Sequence, residues 1–251
     1  MADYIPVLTF HALDTQNSVI SFSPRLFARS MERLWRNGYR SVRLCEAAGL
    51  VSDRKPFPDK SFVLTFDDGY RSVYDEAFPV LRKYGYTATV FLITGGAESY
   101  TPQDRLAPYG GRETLSWGEI KEMSKDGIDF GAHTLTHPDL SSIDASRIEY
   151  EMRESKEIIE NNLGAPVLSF AYPYGKYNAR SMEAAGRYFK CACSDELGLL
   201  TNGSSLYAVE RVDAYYLRQE SLFGLMLTKS FPLYLFLRNI PRTIARRLGG
   251  R

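Results

Sequence analysis

Residues 61–66 form an apolar run that stops abruptly at Asp67, Asp68 and Gly69. Such a run reads as a strand buried on both faces, delivering two carboxylates to its C-terminal end, with the glycine allowing a tight turn. Similar short apolar or β-branched runs recur at residues 5–10, 41–44, 87–93, 128–132, 168–171, 189–193 and 207–212. Helical periodicity fills the intervals. Ser23-Pro24 opens a helix with Leu26, Phe27, Met31, Leu34 and Trp35 on one face and Gly38 at its end. Residues 70–84 place Val73, Ala77, Val80 and Leu81 inward, with Pro79 as a kink. Ser116 and Glu119 make a capping box, residues 144–163 a long charged helix, and Asn178 a further cap. Residues 51–60 read as a loop, and residues 95–113 as a long loop forming a rim or lid over a site. Strand and helix alternate about seven times, which predicts an α/β fold with a mainly parallel sheet, closed or nearly closed.

The 251 residues carry a formal charge of +1, unevenly distributed. Residues 221–251 contain Lys229, Arg238, Arg242, Arg246, Arg247 and Arg251 and no acid, leaving about −5 on the rest. This separates a barrel domain over 1–218 from a basic, apolar helical extension over 219–251, broken by Pro232 and Pro241. One reading packs the extension against the barrel. The other lays it on an anionic membrane surface, through residues 221–251. Nucleic acid is not expected, since the body is acidic and no binding motif occurs. Three cysteines, Cys45, Cys191 and Cys193, make no disulfide framework and suit a reducing compartment. The N-terminus lacks the pattern of a signal peptide, and no apolar run reaches the length of a spanning helix. The expected location is the cytoplasm, with the inner face of the membrane as a peripheral site.

His133 and His137 sit four residues apart after the 128–132 strand, in Gly131-Ala132-His133-Thr134-Leu135-Thr136-His137-Pro138. The threonines and Pro138 argue against a helix, so a loop must fold the rings together, unless the two are unrelated surface histidines. Taken alone, Asp67-Asp68-Gly69 also suits a plain turn or helix cap. Together, two imidazoles and one carboxylate make a three-ligand set for a divalent metal with open positions, and a second carboxylate beside it can act as general base.

Thr65-Phe66-Asp67-Asp68-Gly69 with His133-Thr134-Leu135-Thr136-His137 resembles the first two motifs of the polysaccharide deacetylases, the NodB-homology or carbohydrate esterase 4 group. Leu115-Ser116-Trp117, residues 170–175 (FAYPYG) and His11 also look like this family. The resemblance spans residues 7–212. It implies a distorted (β/α) barrel of about seven strands and metal-dependent removal of N-acetyl or similar acyl groups from a sugar; the membrane reading of the C-terminal segment would make that sugar lipid-linked. By the resemblance, Asp67 is the base, and Asp68, His133 and His137 hold the metal, with Zn²⁺ the default and Co²⁺, Ni²⁺ or Fe²⁺ also suited to the set. A backbone N–H near Tyr174, in the Pro173-Tyr174 turn, stabilises the oxyanion. Two positions depart from the pattern. Ala171 stands where the family has an arginine for the base, and Arg211 is either its replacement or a surface residue. No histidine follows His137, so His11 is the candidate general acid or substrate contact. Two alternatives remain: a metal-dependent hydrolase of a non-sugar amide, and a catalytically weakened sugar-binding homologue.

Overall fold

Strands covered on both sides need apolar residues at odd and even positions alike. Seven parallel strands show this: β1 (Val7–Phe10), β2 (Ser61–Phe66), β3 (Thr89–Leu92), β4 (Asp129–Ala132), β5 (Ser169–Ala171), β6 (Cys191–Leu197) and β7 (Val209–Asp213). Each pairs with the next, and β7 returns to β1 through Val212↔Leu8 and Asp213↔Thr9, closing a barrel. The barrel is distorted. β4 and β5 share a single register pair, Ala132↔Phe170, and the β6–β7 register shifts between Cys193 and Leu197. The structure is a computed structural model and describes residues 2–95 and 104–247, with side chains to residue 241.

Side-chain parity divides the interior in two. Leu8, Phe10, Leu64, Phe66, Val90, Leu92 and Ala192 point outward into the layer beneath the helices. Val7, Val63, Phe91, Ala171, Cys191, Cys193 and Val209 point inward. Gly131 belongs to this inner set, because a Cβ there would meet the Phe91 ring at 2.5 Å. The outer layer is covered by α1 (Pro24–Arg36), α3 (Phe78–Tyr84), α4 (Trp117–Lys125), α5 (Ala145–Leu163) and α6 (Ala179–Tyr188). The expected caps are in place: Ser116 Oγ accepts from Glu119 N–H at 3.2 Å, and Gly164 ends α5 at φ 65°.

Three expectations change. Residues 41–44 are not a strand. Only Arg40–Ser41 pairs, beside β2, and α2 (Leu44–Ser52) follows. Leu44, Ala47, Ala48 and Val51 join the inward-facing residues, so α2 stops the N-terminal end of the barrel, and part of the predicted 51–60 loop is helix. Residues 70–84 are not one helix: a π-turn over Val73–Ala77 leads into α3, and this wider turn admits Pro79 near the start of α3. Finally, the prolines do not break the C-terminal segment. α7 (Phe231–Arg247) runs through Pro241, with Pro232 in its first turn. Phe223, Met226, Phe231 and Leu235 share the outer core with the barrel. No described helix is long and apolar enough to cross a membrane.

Candidate metal centre and cleft

The inward parity of the strands continues past their C-terminal ends. Inward Val63 and Thr65 lead to Asp67, inward Val7 and Thr9 to His11, and inward Val209 to Arg211 and Asp213. His133 follows Gly131 on β4 in the same way. These ends surround a cleft of about 730 Å³, lined by His11, Asp67, Asp68, His133, His137 and Arg211, with Tyr70, Tyr109, Tyr174, Tyr215 and Tyr216 on its walls.

Asp68 turns into the cleft through a left-handed backbone, φ 69°, followed by Gly69 at φ 66°. His133 Nδ1 lies 2.7 Å from the Ala171 carbonyl and donates to it, which leaves Nε2 with a free lone pair. The 134–137 loop then doubles back. Thr134 (φ 67°) and His137 (φ 58°) are left-handed, and Thr134 Oγ1 accepts the His137 N–H at 2.9 Å. Glu151, wholly buried on α5, holds the loop from behind. One carboxylate oxygen accepts the Leu135 and Thr136 N–H groups at 2.9 and 2.8 Å, and the other accepts the Thr136 hydroxyl at 2.6 Å. Arg147 neutralises it at 2.7 Å. The result brings the two Nε2 atoms to 3.1 Å, with Asp68 Oδ1 at 3.5 and 3.6 Å from them. Of the six non-glycine residues with positive φ among the described residues, Asp68, Thr134, His137 and Tyr174 lie here, a concentration of backbone strain at one site.

This donor set fits a divalent cation. The Asp68, His133 and His137 ligand atoms lie within 4.8 Å of one another, all buried. Burial, and then the neighbouring His133, push His137 down to about 3, so its imidazole is neutral at neutral pH and has a nitrogen lone pair to offer. Burial opposes charge on His133 too, but the Asp68 hydrogen bond and both carboxylates outweigh it and raise its pKa. Two imidazole nitrogens facing each other beside a carboxylate require a cation between them, a proton or a metal ion.

Asp67 faces a different partner. Arg211 is buried and forks onto it, Nη1 to Oδ1 and Nη2 to Oδ2, both at 2.8 Å. The Arg211 Nε donates to the Ser194 carbonyl at 2.8 Å and Nη1 to Thr9 Oγ1 at 2.8 Å. Burial would raise the Asp67 carboxyl; the guanidinium charge outweighs it and holds the group well below the usual carboxylate range. Asp67 is therefore an ionised, immobile acceptor. His11 Nε2 stands 3.9 Å from Asp67 Oδ2, half-buried in the cleft wall and beyond hydrogen-bond reach. Pro173 is buried, while Tyr174 (φ 57°) is half-exposed, with its ring edge-on to His137 at 4.6 Å between centroids.

Seven of the eight residues named from the sequence thus line one cleft; Pro173 is buried beside it in the Tyr174 turn and does not line it. Of the predicted 95–113 rim, residues 96–103 lie outside the described residues. Tyr109 and Gly110 do line the cleft, with the Tyr109 hydroxyl 2.7 Å from His137 Nδ1. Sequence reasoning missed Glu151, the Ala171 carbonyl and Thr9. Only Thr9 had a readable signal, since it shares strand parity with His11.

A model of the polysaccharide deacetylases matches residues 54–188, just over half of the chain. YxkH of Bacillus subtilis (strain 168), a relative named for the same family, is 29% identical over 221 residues, 88% of this chain and 75% of that protein. The poly-beta-1,6-N-acetyl-D-glucosamine N-deacetylase of Staphylococcus aureus (strain MRSA252) is 30% identical over 168 residues, 62% of this chain; the match spans 55% of that enzyme. Among solved structures, the Streptococcus pyogenes deacetylase PplD in complex with acetate superposes with a TM-score of 0.75 at 28% identity, over 85% of this chain and 93% of that one. IcaB from Ammonifex degensii gives 0.73 at 25% identity, over 88% and 97%. By its barrel, its cleft and these matches, the chain belongs to the polysaccharide deacetylase family.

Proposed function

We propose that this protein is a metal-dependent hydrolase that removes N-acetyl groups from an amino sugar, in a polymer or carried on a lipid. The observation that carries the reading is the pairing in one cleft of a convergent Asp68–His133–His137 donor set with a separately held, ionised Asp67. Asp68, His133 and His137 would hold the ion, and the set suits Zn²⁺ first, with Co²⁺, Ni²⁺ or Fe²⁺ also accommodated. A divalent ion there supplies Lewis acidity, polarising the amide carbonyl and making water more acidic.

That acidity matters because Arg211 makes Asp67 a weak base. Each carboxylate oxygen of Asp67 keeps a lone pair outside the Arg211 fork. Asp67 takes the proton of the attacking water as its oxygen bonds the carbonyl carbon. The backbone N–H of Tyr174 serves the developing oxyanion. His11, in the cleft wall beside Asp67, delivers a proton to the sugar nitrogen as the C–N bond breaks, giving the free amine and acetate. The tyrosines of the cleft walls provide flat apolar surfaces against which a pyranose ring can stack. The sugar-binding reading has less support, since binding alone has no use for a buried carboxylate with its own arginine.

The test is acetate release from N-acetylglucosamine oligomers with Zn²⁺ or Co²⁺ added. Wild type should release acetate only with metal. Asp67→Asn should lose about 10³-fold or more of kcat while binding the ion normally in calorimetry. A bound ion without release from any N-acetyl sugar would move the reading to a non-sugar amide.

A further inference from the structure

α7 leaves one of its sides uncovered. Phe231 and Leu235 are buried against the barrel, whereas Leu233, Phe236, Leu237 and Ile240 are 60, 65, 55 and 40% exposed. These four follow the i, i+3, i+4, i+7 spacing and form one apolar stripe opposite the buried side. Arg238 is exposed one turn beyond Leu235, on the side away from the stripe, its guanidinium 5.5 Å from the Tyr234 ring centre. The 31 residues from 221 to 251 carry six cationic side chains and no anionic one. The helix is also bonded to the cleft end of the barrel. The Tyr234 hydroxyl donates to the carbonyl of Tyr216, a cleft residue, at 2.5 Å, and Asn239 Nδ2 donates to the carbonyl of Leu197, the end of β6, at 3.0 Å.

The geometry points to α7 as a docking surface for an anionic lipid bilayer, with the apolar stripe at the acyl boundary, the net positive charge of the segment drawing it to anionic headgroups, and the cleft held beside the membrane. Charge complementarity selects this occupant. A second copy of the segment would bring two stretches of net charge +6 together, neither with an acidic side chain to offset the other. Nucleic acid would satisfy the charge but leave the stripe in water. A 17-residue helix is about 25 Å long and suits the plane of the interface. Docking does not depend on which acyl group is removed; joined to the deacetylase reading, it names a glycan at or on a lipid surface as the substrate.

The full chain would be sedimented with vesicles of phosphatidylcholine alone and with phosphatidylglycerol added, alongside Phe236→Ser/Leu237→Ser, whose side chains lie outside the core. Wild type should follow the anionic vesicles, less so at high salt, and the double variant should partition about tenfold or more weakly at an unchanged melting temperature. Both should release acetate equally from a soluble oligomer. Equal partitioning of the two proteins, or a wild type that stays in the supernatant, would overturn the proposal. So would a wild-type dimer that the double variant abolishes without any vesicle binding, which would assign the stripe to a second copy. Vesicle binding with no acetate release by either protein, from the soluble oligomer or from a lipid-linked N-acetyl sugar in the vesicles, would uphold docking and remove the deacetylase reading instead.

Discussion

Arg211 carries more of the site than its position on the last strand suggests. Among the described residues it alone grips both Asp67 oxygens, and it spends its remaining contacts on Ser194 and Thr9, so it cannot turn away to solvent. Arg211→Met would leave a buried carboxylate without its cation. The expected loss is about 3–5 kcal/mol in urea unfolding at pH 7. The sign with pH is fixed by the depressed Asp67 pKa. The contribution of the pair is fully present above the ordinary carboxylate range and lost as pH falls through the lower folded-state value. In the variant, burial is opposed only by the weaker pull of His133 and His11, so the carboxyl rises and the acid limb of the kcat/KM profile should move to higher pH. An unmoved limb would show that Asp67 is not the group that titrates.

At the scale of elements, α5 and the 134–137 loop form one device. The loop needs two left-handed non-glycine residues, and the two N–H groups it turns toward the interior have Glu151 as their acceptor. Glu151→Ala would strand both, and metal affinity by calorimetry should fall about 10–100-fold. Glu151→Gln keeps an oxygen for the two N–H groups and should lie between. Equal affinity in all three proteins would mean that the loop holds its shape without α5. This device was illegible in the sequence, where Glu151 is one acid among many on a charged helix. Asp67, Asp68 and His133 were legible because they follow at a strand end, and His137 because it stands four residues after His133. Arg211 was ambiguous for a physical reason: on strands buried on both faces, apolar character does not tell inside from outside. Only the closed barrel shows that residues 209, 211 and 213 share the parity of residues 63, 65 and 67. α2 was hidden by its brevity and by the strand-like residues before it.

At the scale of the molecule, the proposed division at residue 218 is one of sequence character, because the extension contributes Phe223, Met226, Phe231 and Leu235 to the barrel's outer core. Calorimetry of the full chain should give one transition, and a chain ending at residue 218 should melt about 10 °C lower or more. An unchanged melting temperature would make the extension a separate unit. Barrel closure has a consequence for the order in which the site is born. Asp68, His133 and His137 all lie within the first 137 residues, whereas Arg211 and its bond to Thr9 join positions 202 residues apart. On a growing chain the three ligands are made well before the last strand, and Asp67 has no arginine until the barrel shuts. Contacts that distant form slowly. The ability to hold an ion should therefore precede the ability to hydrolyse, and an interrupted or truncated chain should take up metal while remaining inert.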